Sequence, residues 1–204
     1  MNGGPVAERV YESLRRLILS HGFRPGDRLD PNMLAGRLSA SVTPVREALN
    51  VLCGEQLVEA HRSGGYYLPA LDEPALKDMF SWAQEIALLA IRSWPPDKTV
   101  DWDRIRKRHQ DYASRAGEVL ETMARLSVNG EHHRAMVTLN ARLHAVRTVE
   151  IDVLSDALAE LSEIEHALDN GDRPAVRRSL NAYHRRRIRA ASGLVRATYR
   201  TAPP

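Results

Sequence analysis

Residues 32–52 constrain this chain more than any other stretch: Asn-Met-Leu-Ala-Gly-Arg-Leu-Ser-Ala-Ser-Val-Thr-Pro-Val-Arg-Glu-Ala-Leu-Asn-Val-Leu. Leu34 and Leu38 give a first short helix an apolar stripe. Ser39, Ala40 and Ser41 make a tight turn, and the Ser41 hydroxyl is placed to cap a second helix by accepting from a first-turn amide. Pro44 falls inside that first turn, where a missing N–H removes no helical bond. Val45, Ala48, Leu49 and Leu52 recur at helical spacing and face a core, which leaves Val42, Thr43, Arg46, Glu47 and Asn50 pointing outward. Such a pair of helices shows a hydroxyl and a guanidinium at the start of the second. That suits the DNA major groove, where first-turn residues reach base edges and phosphates.

The flanks extend the pattern. Val6, Val10, Leu14, Leu17 and Ile18 form an amphipathic helix over residues 6–20, ended by Gly22. Pro25-Gly26 is a turn, followed by a short strand at Arg28-Leu29. Asp30 then Pro31 reads as a cap with proline at the first helical position. Residues 57–62 and 66–68 read as two strands, with Ser63-Gly64-Gly65 as their hairpin tip and Arg62 as the nearby charge.

Ser-x-Thr-Pro-Val-Arg-Glu-Ala-Leu at residues 41–49 resembles the recognition-helix signature of GntR-type bacterial transcription regulators. Residues 10–22, the Arg24-Pro-Gly-Asp-Arg-Leu29 turn and the Leu57–Tyr66 wing resemble the family's flanking motifs, in order and without a gap over about residues 6–69. The resemblance implies a winged helix-turn-helix that reads double-stranded operator DNA through Ser41, Val42, Thr43, Arg46, Asn50, Arg62, Ser63 and Gly64. Three departures stand out, the first being Asn32, near the start of the preceding helix, where the FadR type has an arginine. Val42 occupies a position that is usually arginine. Gln56 stands where the family has a glycine in the left-handed conformation, at a cost on the order of 1 kcal/mol.

Composition sets looser bounds. A chain of 204 residues holds one large or two small domains, and 43% hydrophobic content is enough for a core. No run of eighteen apolar residues suggests a membrane span, and the first residues carry no signal pattern. The single cysteine, Cys53, excludes an internal disulfide, so the expectation is a cytoplasmic protein. A net charge of +3 permits nucleic-acid binding without demanding it. Lysine occurs only at Lys77, Lys98 and Lys107; the arginine excess suits phosphate and guanine contacts, or reflects a GC-rich genome.

Residues 70–74 read as a linker, and 75–200 as all helix. Asp72 caps a helix carrying Leu76, Met79, Phe80, Ala83, Ala87, Ala90 and Ile91, broken at Trp94-Pro-Pro-Asp97. One long helix is expected from Trp102 to Leu126, ended by Asn129-Gly130. Met136 to Val146 mark the next, a run from Ile151 to Leu168 another, and Val176, Leu180, Tyr183, Ile188, Leu194 and Val195 the last. The fold class is therefore mainly α: an N-terminal winged helix-turn-helix, three helices plus a small β-hairpin, followed by an antiparallel helical bundle.

The second half resembles the FadR-type effector domain, in a shortened and divergent form, through residues 129–144 and the turn at 167–172. The resemblance implies a homodimer governed by a small-molecule effector. In many such domains one aspartate and three histidines hold a divalent cation. Here those positions fall on Asn140, His144, Leu161 and Tyr183 or His184, so Asn140, His144 and His184 are the candidate effector-binding residues, with His166 a turn away. A degraded site without a metal is the expectation, because leucine is no ligand and asparagine a weak one. His132 and His133 are expected to face solvent, and the C-terminal arginines to form a solvated face. The competing readings are a metal-dependent enzyme using His144, His166 and His184, and a helical scaffold. Neither has a catalytic motif such as His-Glu-x-x-His behind it.

Overall fold

The computed structural model describes residues 4–20, 22–95, 100–109 and 111–201. It divides into two compact units, one of Met1–Leu71 together with the C-terminal residues from Tyr199, and one spanning Asp72–Thr198. Most of the described residues are helical; the strands are three short pieces in the first unit.

The first unit begins with α1 (Pro5–Leu19), which buries Val10, Leu14 and Ile18 while Val6 stays exposed. The chain turns back at Gly22, whose amide donates to the Leu17 carbonyl; a Cβ there would sit 2.7 Å from that oxygen, so only glycine fits. Next come β1 (Arg28–Leu29) and α2 (Pro31–Arg37). Asp30 caps α2 by accepting from the amides of Asn32 at 2.8 Å and Met33 at 3.4 Å, and these bonds lower its carboxyl pKa. Leu34 and Ala35 are the buried pair of α2; Leu38 is only half-buried, as its C-cap.

A turn with Ser39 at φ 49° leads to α3 (Val42–Gly54), which buries Val45, Ala48, Leu49 and Leu52. The helix ends as the glycine exception predicts: Gln56 adopts φ 60°. The expected hairpin is present, but its strands are shorter than 57–62 and 66–68. β2 is Glu59–Ala60 and β3 is Tyr66–Tyr67, because Leu57 and Val58 leave the ladder to donate to the Leu52 carbonyl and fill the core. The sheet order is β1-β3-β2, antiparallel throughout, with Leu29 opposite Tyr66 and Ala60 opposite Tyr66 on the other side.

In the second unit α4 is Glu73–Arg92, capped by Asp72 through the Ala75 amide at 2.7 Å. Glu73 and Pro74, expected in the linker, form its first turn, where proline is tolerated. Its predicted apolar residues are all buried. Pro96 and Asp97 of the expected break lie outside the described residues.

The single helix expected from Trp102 to Leu126 is two, α5 (Trp102–Arg108) and α6 (Tyr112–Arg125). His109 is extended at φ −117° and ψ 118°, and Asp111 starts afresh by capping α6 through Ser114. Asn129 is likewise a start and not a stop: its side chain accepts from the Glu131 amide at the head of α7 (Gly130–Val153).

The run expected from Ile151 to Leu168 is divided. Ile151 is exposed at the end of α7, Leu154 caps it, and α8 (Ala157–Asp169) leaves Leu158 exposed. Finally, α9 (Arg173–Thr201) buries Val176, Leu180, Tyr183, Ala191 and Leu194. Ile188 and Val195 are only half-buried; Arg187, His184 and Thr198 hold the inner face instead. Helices α4, α6 and α7 pack mutually, and α9 joins them through Gln84 to Asn181 at 2.6 Å and through Arg187.

Candidate nucleic-acid interface and buried polar layer

The outer face of α3 follows from its inner one. Because Val45, Ala48, Leu49 and Leu52 take the core side, Ser41, Thr43, Arg46, Glu47 and Asn50 stand exposed, with Val42 half-buried. Thr43 and Arg46 therefore lie on one accessible side of the first turns. Ser41 occupies the N-cap position at φ −78° and ψ 162°, but its hydroxyl makes no capping bond, contrary to expectation. The backbone alone sets this helix start.

At the hairpin tip Arg62, Ser63 and Gly64 are exposed, with Gly64 at φ 93° and Gly65 at φ 97°. Only glycine adopts such angles without strain, so the tip presents bare backbone beside a guanidinium. Two features here escaped the sequence reading. The Tyr66 hydroxyl donates to Asn50 Oδ1 at 2.9 Å, tying the wing to the exposed face of α3. His61 stacks on Tyr67, ring centroids 4.1 Å apart, which stiffens the hairpin. Arg28 adds a second exposed cation, its Nε 3.5 Å from where a Gly65 Cβ would stand.

The second unit holds an unusual buried polar layer. Arg187 is fully buried at the apolar-stripe position of α9. Its Nε donates to Glu150 Oε2 at 2.8 Å, Nη1 to Glu160 Oε2 at 2.7 Å, and Nη2 to the Tyr112 hydroxyl at 2.7 Å. That hydroxyl donates in turn to Glu150 at 2.6 Å, and the guanidinium lies 3.3 Å from the Tyr183 ring centroid. Burial alone would lower the Arg187 pKa; the Tyr183, Glu150 and Tyr112 oxygens outweigh it and raise it. Arg187 thus leaves the solvated arginine face to which the sequence assigned it. A second pair joins the half-buried Arg115 to the buried Glu165.

Beside this network Arg147 is 1% exposed and its Nε and Nη1 have no hydrogen-bond partner. Asn140 donates through Nδ2 to the Gly117 carbonyl at 2.8 Å and leaves Oδ1 buried and unpartnered. Arg147 and Asn140 flank the same bare backbone: a Cβ at Gly117 would lie 3.4 Å from Arg147 Nη1 and 4.0 Å from Asn140 Cγ. His184 is fully buried, its Nδ1–H directed to the Leu180 carbonyl at 2.9 Å, so Nε2 is an unpartnered acceptor. Burial, and then the charges of Arg187 and Arg147 against the Leu180 bond, push the His184 pKa down to about 3.

The other candidate positions separate. His144 is half-buried, while His166 is exposed and Leu161 fills core. His144, His166 and His184 therefore make no common catalytic set. Among the described residues no group of three or more His, Cys, Asp or Glu is gathered to hold a metal ion. His132 and His133 are half-buried and not fully solvent-facing: Ser127 Oγ lies 2.8 Å from His132 Nδ1, and Glu121 3.2 Å from His133 Nε2. Among the described residues no helix is long and apolar enough to cross a membrane.

Residues 6–68 match the family model described as bacterial regulatory proteins, gntR family. The Nta operon transcriptional regulator of Aminobacter aminovorans is 27% identical over 65% of this chain and 63% of its own length, so the match spans under two thirds of that relative. An HTH-type transcriptional regulator in an unstable DNA locus of Streptomyces ambofaciens is 25% identical over 97% of this chain and 92% of its own. The fold matches a crystal structure of a GntR-type protein from Rhodococcus sp. RHA1 with a TM-score of 0.73 at 21% identity, covering 92% of this chain and 97% of that one. Arg46 and Thr43 stand exposed on such a fold. Residues 6–68 are thus a winged helix-turn-helix of the gntR family of bacterial regulatory proteins, and the chain as a whole is similar to transcriptional regulators over up to 97% of its length.

Proposed function

We propose that the chain is a DNA-binding transcription regulator that works in the cytoplasm as a homodimer on a short palindromic operator, and that a small effector received in the second unit sets its affinity for DNA. The observation that carries the DNA half is the exposed side of α3. Thr43 and Arg46 face outward there while the opposite side is buried, and the bare-backbone tip at Ser63 and Gly64 is held to the same helix by Tyr66. In this reading α3 enters the major groove, Arg46 meets base edges, Val42 packs on a thymine methyl, and Arg62 with the tip meets backbone phosphates. Selection of bound DNA from a random pool, followed by mobility shifts, tests it. Arg46→Ala lowers specific affinity by about 1–3 kcal/mol and relaxes base preference. Normal operator binding by that variant refutes the docking.

The effector half rests on the unpartnered atoms around Gly117. A buried guanidinium stays charged and is costly without an anion, so Arg147 supports an anionic ligand, with Asn140 Oδ1 and His184 Nε2 accepting from its donors. The residues do not fit a divalent cation, since Leu161 offers no donor and the Arg147 charge opposes a second cation. We read the unit as a FadR-type domain that works without a metal. A thermal-shift screen of small anions in the presence of a chelator tests this: hits that vanish in Arg147→Met support it, and hits that require a divalent cation refute it.

A further inference from the structure

Where α4 ends and α9 begins, the second unit has a groove of about 480 Å³ walled by Ile91, Arg92, Arg173, Arg177, Arg178 and Asn181. Four of its lining residues are arginines and none is acidic. Arg173, Arg177 and Asn181 are spaced four apart, so they stack along one face of α9. Among the described residues Arg92, Arg177 and Arg178 make no ion pair. The groove therefore gathers like charges that repel one another, with no carboxylate to take their N–H donors. Arg173 is the fixed member. Its Nη2 donates to the Trp94 and Pro95 carbonyls at 3.1 and 3.3 Å, and its guanidinium lies 6.0 Å from the Trp94 ring centroid. Asn181 is fixed too: its Oδ1 accepts from Gln84 at 2.6 Å, which leaves Nδ2 as a donor beside the arginines.

Arg173 also walls a second cavity of about 270 Å³, a chamber lined by Trp94, Trp102, Leu126, Leu168 and Val176. The Asp169 carboxylate reaches it with Oδ2 held by Arg106 at 2.8 Å and, among the described residues, no group on Oδ1. We propose that groove and chamber together form a site for a nucleoside polyphosphate. The phosphates lie among Arg92, Arg177 and Arg178, the ring enters between the tryptophans, and Arg173 stands where the two parts meet. Planar guanidinium forks match phosphate oxygens, and a flat base offers a face to stack and N–H donors for Asp169 Oδ1. The two volumes together fall within the roughly 300–1,000 Å³ of small-molecule sites. A nucleic-acid backbone or a free polyphosphate would meet the arginines alone and leave the chamber unused. The site is separate from the unpartnered atoms around Gly117: His184 lies seven residues beyond Arg177 on α9, about 10 Å at the helical rise.

Isothermal titration calorimetry of the full chain at physiological salt is the test, with a chelator present. ATP and inorganic tripolyphosphate are the probes, and circular dichroism verifies folding of each variant. ATP occupies a single site per chain and binds about tenfold or more tighter than tripolyphosphate. Arg177→Gln with Arg178→Gln weakens ATP by about tenfold or more. Arg189→Gln with Arg196→Gln removes the same charge from exposed positions further along α9 and leaves ATP binding unchanged. A wild type that binds no ATP, or an equal loss in the two double variants, overturns the site. Tripolyphosphate binding as tightly as ATP overturns the place of the ring in the chamber, and with it the nucleotide.

Discussion

Replacing Arg187 with methionine removes the only cation among the described residues that pairs with Glu150, and both side chains are fully buried. Glu150 would keep the Tyr112 hydroxyl at 2.6 Å, while its Oε1 already lacks a partner. A buried carboxylate left without its counter-charge costs about 3–5 kcal/mol. Methionine retains most of the stem volume, so little of that figure comes from a cavity. Glu160, the second acid on Arg187, is 20% exposed and can turn to water, so its loss adds little. For a chain of this size the melting temperature should fall by on the order of 10 °C. Urea unfolding at pH 7, followed by circular dichroism, reads the free energy directly. The companion variant isolates the cause. Arg187→Met with Glu150→Leu replaces the whole pair by apolar groups and should recover most of the loss, because such replacements are often neutral. If the single change costs less than about 1 kcal/mol, or the double change costs the sum of the two singles, the network is not held by paired charge and the reasoning fails.

Three further outcomes are expected. His184 stays neutral in the folded chain down to about pH 3 but takes a proton below 6.5 when unfolded, so its contribution is complete above pH 6.5 and falls by about 1.4 kcal/mol per pH unit below it; His184→Leu should flatten acid denaturation curves in that window, and an unchanged slope counts against it. Gln56→Gly relieves the left-handed backbone at φ 60° and should raise stability by roughly 1 kcal/mol, checked by the melting temperature. Tyr66→Phe removes the 2.9 Å bond to Asn50 and should weaken operator binding several-fold while costing roughly 1 kcal/mol of stability or less, read by mobility shift and melting together; full affinity would show that the wing needs no tether.

The first unit was legible because its signals are local. Asp30-Pro31 is a cap followed by a fixed φ, and the α3 core residues keep strict helical spacing, so the exposed Thr43 and Arg46 follow by subtraction. The missed Tyr66 to Asn50 bond joins residues sixteen apart and has no local sign. In the second unit apolar spacing located the helices but not their ends. Asp111 and Asn129 carried capping signals that a continuous apolar pattern masked. Arg187 was misplaced because its neighbours Arg185, Arg186 and Arg189 look like a solvated run, yet it sits four residues past Tyr183 and four before Ala191 on the buried stripe. Its partner Glu150 lies on a separate helix, so only the fold brings the two charges together.

The bare start of α3 carries a last consequence. Six other helices begin with an aspartate or asparagine side chain closed over their first amides: Asp30, Asp72, Asp101, Asp111, Asn129 and Asp172. Ser41 leaves those amides open on the helix proposed to enter the major groove. A phosphate oxygen arriving there would complete the helix from outside, drawn by the positive end of its dipole. Operator occupancy would then slow hydrogen exchange at the first-turn amides of α3 more than anywhere else in the unit, and the duplex would serve as part of this protein's secondary structure.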